Sequence, residues 1–307
     1  MPTNGPARPD RALPAPGDGP TRLTAGDRFR IVQATRAQWA TVEGWIATKG
    51  GNPGLSDADV FFRLDPGGFF LGLLDGEPVS AVCVVNYGPR IAFLGNYLVR
   101  PDQRGQGFGL ATWRTAVGHA AGRAIGLEAV PAQVPLYRRA GFSELYTTVT
   151  YRGRIPRGLH APADLDVMPY PARHAAAITA LDGACFPQNR RPFADTWAIS
   201  PGHRTLVLTC GNEVTGYGVI RPTTSGHQIG PLAAENQADA LALFDALTAP
   251  LPGATVSFHA PEPNLSALHL ARARGLADVL HTVRMYSQPA RPIALTRCYA
   301  IGSLAHG

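Results

Sequence analysis

Lysine is almost missing from this chain: Lys49 is the only one, and every other basic residue is arginine. The formal charge is still +6, which suits an anionic ligand. The arginines are spread along the sequence and form no stripe, which speaks against a nucleic-acid partner. Cysteine is scarce too. Cys83, Cys185, Cys210 and Cys298 form no CxxC pair, so neither a zinc site nor a disulfide framework is indicated. They read as buried apolar thiols. No apolar run approaches ~18 residues, so neither a membrane span nor a membrane partner is expected. The N-terminus lacks the charged-then-apolar order of a signal peptide, and a cytoplasmic location is expected. HExxH, carboxylates paired at metal spacing and GxSxG are all absent. His119, His174 and His203 are scattered, and no metal is implied.

What is present fits a mixed α/β protein. At 307 residues the chain is long enough for two domains. Residues 1–26 are rich in Pro and Gly and poor in large apolar groups, so they read as a disordered tail. From Arg28 strands and helices alternate. RFRIVQA reads as a strand, and Thr35 caps a helix to about Ala47. DADVFFRL reads as a second helix. FFLGLLDGEPVSAVCVVNYG reads as a hairpin turning at Asp75-Gly76. IAFLGNYLV is a strand, and Leu110, Trp113 and Val117 follow at helical spacing. A strand (AIGLEAV), a short helix (VPLYRRAG) and a closing strand (FSELYTTVTYRG) complete the series. GRIPRGLHAPA breaks the pattern and reads as a linker. The order of elements then repeats over 164–287, with little identity between the halves. The expectation is a mixed α/β sheet in two copies of one fold, side by side: tail 1–26, first domain 27–155, linker 156–163, second domain 164–307.

The densest chemistry lies in VRPDQRGQGFGLATWRTAV, residues 99–117. Pro101 ends sheet pairing. Arg104, Gly107 and Gly109 fit [QR]-x-x-G-x-[GA]. Glycines allow successive N–H groups to converge, and the following helix adds about half a positive charge at its N-terminus. Such a turn suits a pyrophosphate. The G-x-G-x-G spacing after the fourth strand speaks against a dinucleotide-binding βαβ unit.

VRPDQRGQGFGLA resembles motif A of the GCN5-related N-acetyltransferases, and YRRAGF, residues 137–142, resembles their motif B ending. The strand between the two motifs is also in place. GLEAVPAQVPLYRRAGF, with GYGVIRP, QIGPLAA, PEPN and TVRMY, is similar to the two-domain branch named after holothin acyltransferases, a likeness that covers nearly the whole chain after residue 28.

That resemblance implies a tandem fold with the acyl-CoA site in the N-terminal copy. Leu98 and Val99 would offer backbone groups to the pantetheine. The backbone of Arg104, Gly105, Gln106, Gly107, Phe108 and Gly109 would hold the pyrophosphate. Tyr137 matches the tyrosine that would protonate the leaving thiolate, and its plainer reading is packing beside Phe142. Glu128 is a candidate base, set against an ordinary edge glutamate. Asn96 and Tyr97 are polar groups on the preceding strand and candidates for contacting substrate. Asn264 and Arg284 are candidates for lining the acceptor pocket, with a helix cap and an exposed cation as their plainer readings; His259 and Arg221 are weaker candidates. Val130 stands where the family commonly has asparagine, which removes one contact to the pantetheine. In the second copy the corresponding turn, IGPLAAENQADA, lacks a glycine series and carries Glu235, so no second CoA site is expected.

The implied activity is transfer of an acetyl or other short acyl group from acyl-CoA to the amine of a small molecule, such as a holothin-like dithiolopyrrolone in antibiotic biosynthesis. Acetylation of an antibiotic for resistance and non-catalytic acyl-CoA sensing are the alternatives. A monomer or homodimer without nucleic-acid or membrane partners is expected.

Overall fold

The computed structural model describes residues 28–157, 166–170 and 172–307. The tail expected at 1–26 and residues 158–163 of the expected linker lie outside the described residues. The first series runs β1 (Phe29–Gln33), α1 (Arg36–Thr48), α2 (Asp57–Leu64), β2 (Phe69–Leu74), β3 (Glu77–Tyr87), β4 (Ile91–Val99), α3 (Phe108–His119), β5 (Ala124–Ala129), α4 (Val134–Arg139) and β6 (Ser143–Arg154). The second runs β7 (Asp166–Pro169), α5 (Ala175–Cys185), α6 (Arg191–Ala198), β8 (Arg204–Cys210), β9 (Glu213–Thr223), β10 (Gly226–Ala234), α7 (Gln237–Thr248), β11 (Thr255–Pro261), α8 (Leu265–Ala273), β12 (Ala277–Tyr286) and β13 (Cys298–Ala300).

Local chemistry sets many of these boundaries. Thr35 and Gln38 form a reciprocal capping box that starts α1. Asp75 and Gly76 both take positive φ, 51° and 87°, as a two-residue hairpin turn requires. Pro192 in the first turn marks the start of α6, a helix the periodicity does not disclose. β13 is three residues long and pairs with β10, too short to carry a period.

The halves do not close separately. One sheet runs β1-β2-β3-β4-β5-β12-β6-β11-β10-β9-β8-β7. The strand expected to close the first copy, β6, lies between β12 and β11, and β12 takes the place beside β5. Shape complementarity accounts for the exchange. Gly126 on β5 leaves room for the ring of Tyr286 from β12, which a Cβ would meet at 2.7 Å. Tyr151 on β6 packs on Phe258 of β11 with centroids 5.3 Å apart. A strand's alternation encodes which face is buried but not which edge it joins. The cores mix as well: Trp39 and Phe61 share a cluster with Phe193 and Trp197. Burying each such ring contributes roughly 1.5–3 kcal/mol. Of the cysteines, Cys83 and Cys298 are buried, but Cys210 is exposed where β8 meets the β8–β9 turn, a departure from the expected burial.

The last residues thread between the halves. Tyr87 of the first half donates to the carbonyl of His306 at 2.7 Å, and Arg190 of the second donates to the Gly307 oxygen at 3.0 Å. Gly95 of β4 is so close to the Ala305 carbonyl that a side chain there would collide with it.

Candidate functional site

Four consecutive features build the site. The first is the turn after β4. Gly105 and Gly107 take φ of 76° and 87°, where glycine is favoured. Gly107 is the N-cap of α3, no side chain caps that helix, and its first turn holds no acidic residue. The amides from Gly105 to Gly107 make no backbone hydrogen bond to a described residue. A first helical turn also leaves its own N–H groups without partners. Exposed donors and the positive end of a helix therefore converge on one place. Gly109 does something different from what its spacing suggests: a Cβ there would strike Val99 and Tyr97, so it lets α3 lie close on β4.

The second feature is a gap between strands. β4 and β5 pair in parallel only from Ile91↔Ala124 to Leu94↔Leu127. Beyond that β4 bulges, because its register against β3 slips between Gly95 and Leu98 and Asn96 takes φ of 52°. Leu98 and Val99 pair with β3 on one side only, which leaves their other edge toward the gap.

Third, a cleft of about 590 Å³ runs from this gap to the seam between the halves. It touches Asn96 on β4 and Val130 after β5, then reaches Thr150 on β6, Gln228 on β10 and His259 on β11. Its walls include Trp39 and Lys49 from the first half and His306 from the returning C-terminal segment.

Fourth, Tyr137 on α4 stands against Trp113 of α3, with centroids 5.8 Å apart, and against Phe142 at 6.0 Å. Burial, and then the neighbouring Tyr97, push its phenol well above the ordinary value, so it keeps its proton at neutral pH. Burial pushes Tyr97 up to about 12.

Comparison with known proteins identifies the family. Residues 37–142 match the model of the acetyltransferase (GNAT) family, and residues 178–300 match an acetyltransferase (GNAT) domain. The chain is 33% identical over 254 residues to holothin acyltransferase of Pseudoalteromonas sp. (strain SANK 73390), covering 82% of this chain and 86% of that protein. The chain belongs to the GNAT acyltransferases. Among solved structures, a putative acetyltransferase from Pyrococcus horikoshii superposes with a TM-score of 0.77 at 22% identity, over 92% of this chain and 96% of that one. A tandem GNAT protein from the clavulanic acid biosynthesis pathway gives 0.59 at 17% identity, over 85% and 99%. Both share the fold.

The candidates raised by the sequence fall in different parts of this GNAT pair. Asn96 reaches the cleft; its amide donates to Cys83 Sγ at 3.7 Å. Tyr97 lies under the N-terminus of α3, beside Trp113 at 5.2 Å. Asn264 caps α8: its oxygen accepts from Ala267 N at 3.2 Å and its nitrogen donates to the Cys298 carbonyl at 2.9 Å. It is buried away from the residues that line the cleft. Arg284 is not the exposed cation of its plainer reading. Its side chain is 2% exposed, donates from Nε to Glu128 at 2.7 Å, and lies over the ring of Phe93. Glu128 in turn accepts from Thr148 at 2.9 Å and Thr282 at 2.6 Å, and its side chain is 1% exposed. Neither Glu128 nor Arg284 lines the cleft. Arg221 is buried and holds Asp57 of α2 through Nε at 2.7 Å and Nη2 at 3.1 Å. Burial pushes Asp57 up, and Arg221 more than offsets this, leaving it below its ordinary value.

Sequence reasoning missed Lys49, Thr150, Gln228 and His306 as cleft residues. They come from four separate elements, and no local pattern links them. His259 was a weak candidate; it lines the cleft, and its Nδ1 pairs with Thr150 Oγ1 at 2.8 Å. In the second GNAT copy the turn before α7 is differently built. Asn236 caps the helix through Asp239 N at 3.0 Å, Asp239 adds a negative charge to the first turn, and Glu235 pairs with Arg297 at 2.6 Å.

Proposed function

We propose that this GNAT acyltransferase moves an acetyl or other short acyl group from acyl-CoA to the amine of a small molecule held between the halves. The continuity of one cleft with both edges of the splayed gap, at Asn96 and Val130, supports this reading most. In this reading the amides of Arg104 to Gly109 hold the diphosphate, and Arg104 adds a charged hydrogen bond. The free edge of Leu98 and Val99 pairs with the pantetheine amides. A thioester so placed has its carbonyl at the gap, facing the cleft.

The amine nitrogen attacks that carbonyl carbon, and the C–S bond then breaks. The protonated phenol of Tyr137 gives its proton to the departing thiolate and regains one released from nitrogen through solvent. The reaction yields an amide and free CoA. Glu128 has no part in the transfer; it joins β5, β6 and β12.

Likeness to holothin acyltransferase favours an amine of secondary metabolism, with a dithiolopyrrolone as first choice. Thiol release from acetyl-CoA and longer acyl-CoAs with holothin as acceptor tests it. Turnover is expected with holothin or a related heterocyclic amine. Binding of acetyl-CoA with no turnover across a broad amine panel would instead favour a sensor.

A further inference from the structure

Resting on this reading of the cleft, we infer that the acceptor is a weakly basic amine, aromatic or conjugated, which enters already neutral and needs no general base. Among the described residues, no carboxylate or histidine of the cleft is free to take a proton from an ammonium ion. Its two carboxylates, Glu43 and Asp57, are both committed. Glu43 accepts from Arg36 at 2.9 and 3.3 Å, and Asp57 is held by both ends of Arg221. Glu128, the carboxylate of β5, is closed behind Arg284, Thr148 and Thr282.

The cleft's histidines do not fill the role. His259 is pushed down to about 3, by burial first and then by Arg221. His306 is pushed down to about 4 by burial. Both are neutral and poor proton acceptors at neutral pH. The remaining charges are positive. Arg152 is bound to Ser225 Oγ at 2.7 Å, a neutral partner, and Lys49 has no anionic partner among the described residues. Lys49, pushed down by burial and then by Arg104, stands exposed where it meets the cleft. An alkylammonium ion would therefore meet two cations, while the carboxylates lining the cleft are already paired with arginine.

What the cleft does offer is neutral. Gln228 and His306 are buried with Gln228 Nε2 and His306 Nε2 lacking any partner. Both side chains line the cavity, as does the Thr150–His259 pair. Such groups suit hydrogen bonds with an uncharged polar ligand, since a buried polar atom left unpaired is costly. Val130, Val279 and Leu280 leave exposed apolar surface at the rim, which suits a ring.

The test uses the full chain with acetyl-CoA and size-matched acceptors, 2-aminonaphthalene against 2-aminotetralin and aniline against cyclohexylamine, with glycine as a small alkylamine and holothin as reference. Thiol release is followed from pH 6 to 9. We expect kcat/KM at pH 7 about 100-fold or more higher for 2-aminonaphthalene than for 2-aminotetralin, and a flat profile for the aromatic amine. Equal or faster turnover of 2-aminotetralin, cyclohexylamine or glycine at pH 7 overturns the assignment while leaving acyl transfer intact. A rate with 2-aminonaphthalene that climbs tenfold per pH unit also overturns it, because a base would then be titrating. Silence with every amine, holothin included, despite calorimetric binding of acetyl-CoA, removes the acyltransfer reading and this assignment with it.

Discussion

Glu128 and Arg284 form an ion pair across the join of the two halves, with Nε to Oε1 at 2.7 Å and side chains 1% and 2% exposed. Glu128 belongs to β5 and Arg284 to β12, and the two residues are directly opposed in the sheet. Its removal is a test of structure. Glu128→Gln or Arg284→Met leaves one buried charge without its partner and should lower unfolding stability by about 3–5 kcal/mol. The double variant Glu128→Leu/Arg284→Met should recover most of that loss. Urea denaturation of the four proteins checks it; an intact midpoint in Glu128→Gln with a collapsed kcat would return Glu128 to the role of base.

The glycine turn makes a separate prediction. Gly107 has φ of 87°, so Gly107→Ala adds about 1–2 kcal/mol of backbone strain at the mouth of α3. Gly107→Glu also adds a negative charge where an anion is proposed to sit. Calorimetry should show CoA affinity reduced at least tenfold by Gly107→Glu. Arg104→Gln should weaken binding several-fold and reduce its salt dependence.

Tyr137 separates chemistry from binding. Tyr137→Phe keeps the contacts with Trp113 and Phe142 and removes only the hydroxyl. A general acid is worth about 10²–10⁴ in rate, so kcat should fall about 100-fold or more with CoA affinity unchanged. An unaltered kcat would reduce Tyr137 to a packing residue.

Acid should destabilise the fold in two stages. His259 and His306 titrate near about 6.5 in an unfolded chain but are pushed down to about 3 and about 4 when folded. Over that interval the unfolded chain binds protons that the folded chain refuses. Stability is therefore complete above about pH 6.5 and is lost as pH falls toward 4, by up to about 1.4 kcal/mol per pH unit for each group. Asp57, whose folded value lies below its ordinary one, adds a further loss below about pH 4. Thermal melting from pH 7.5 to 4.5 should show a falling midpoint, and His259→Gln should flatten the slope. A midpoint independent of pH in this range would refute it.

Much of this architecture is legible in the sequence because its signals are local. Asp75-Gly76 marks a hairpin, Thr35 a cap, and the glycines after β4 an open helix terminus. The cleft is not legible in the same way. Lys49, Gln228 and His306 are far apart in the chain and become neighbours only through the sheet order and the returning C-terminal segment. Arg284 is misleading for a related reason. An arginine read alone is an exposed cation, and only the exchange of β6 and β12 gives it a buried carboxylate opposite. Asn264 follows the plainer rule, since a capping asparagine before an apolar run announces a helix start.

Because β6 and β12 each complete the other half's part of the sheet, the protein resembles two hands with interlaced fingers. Splitting the gene near the seam would give fragments that each carry an orphan finger and an empty slot. They would be expected to remain insoluble alone and to regain shape only when produced together, as complementary pieces of one lock.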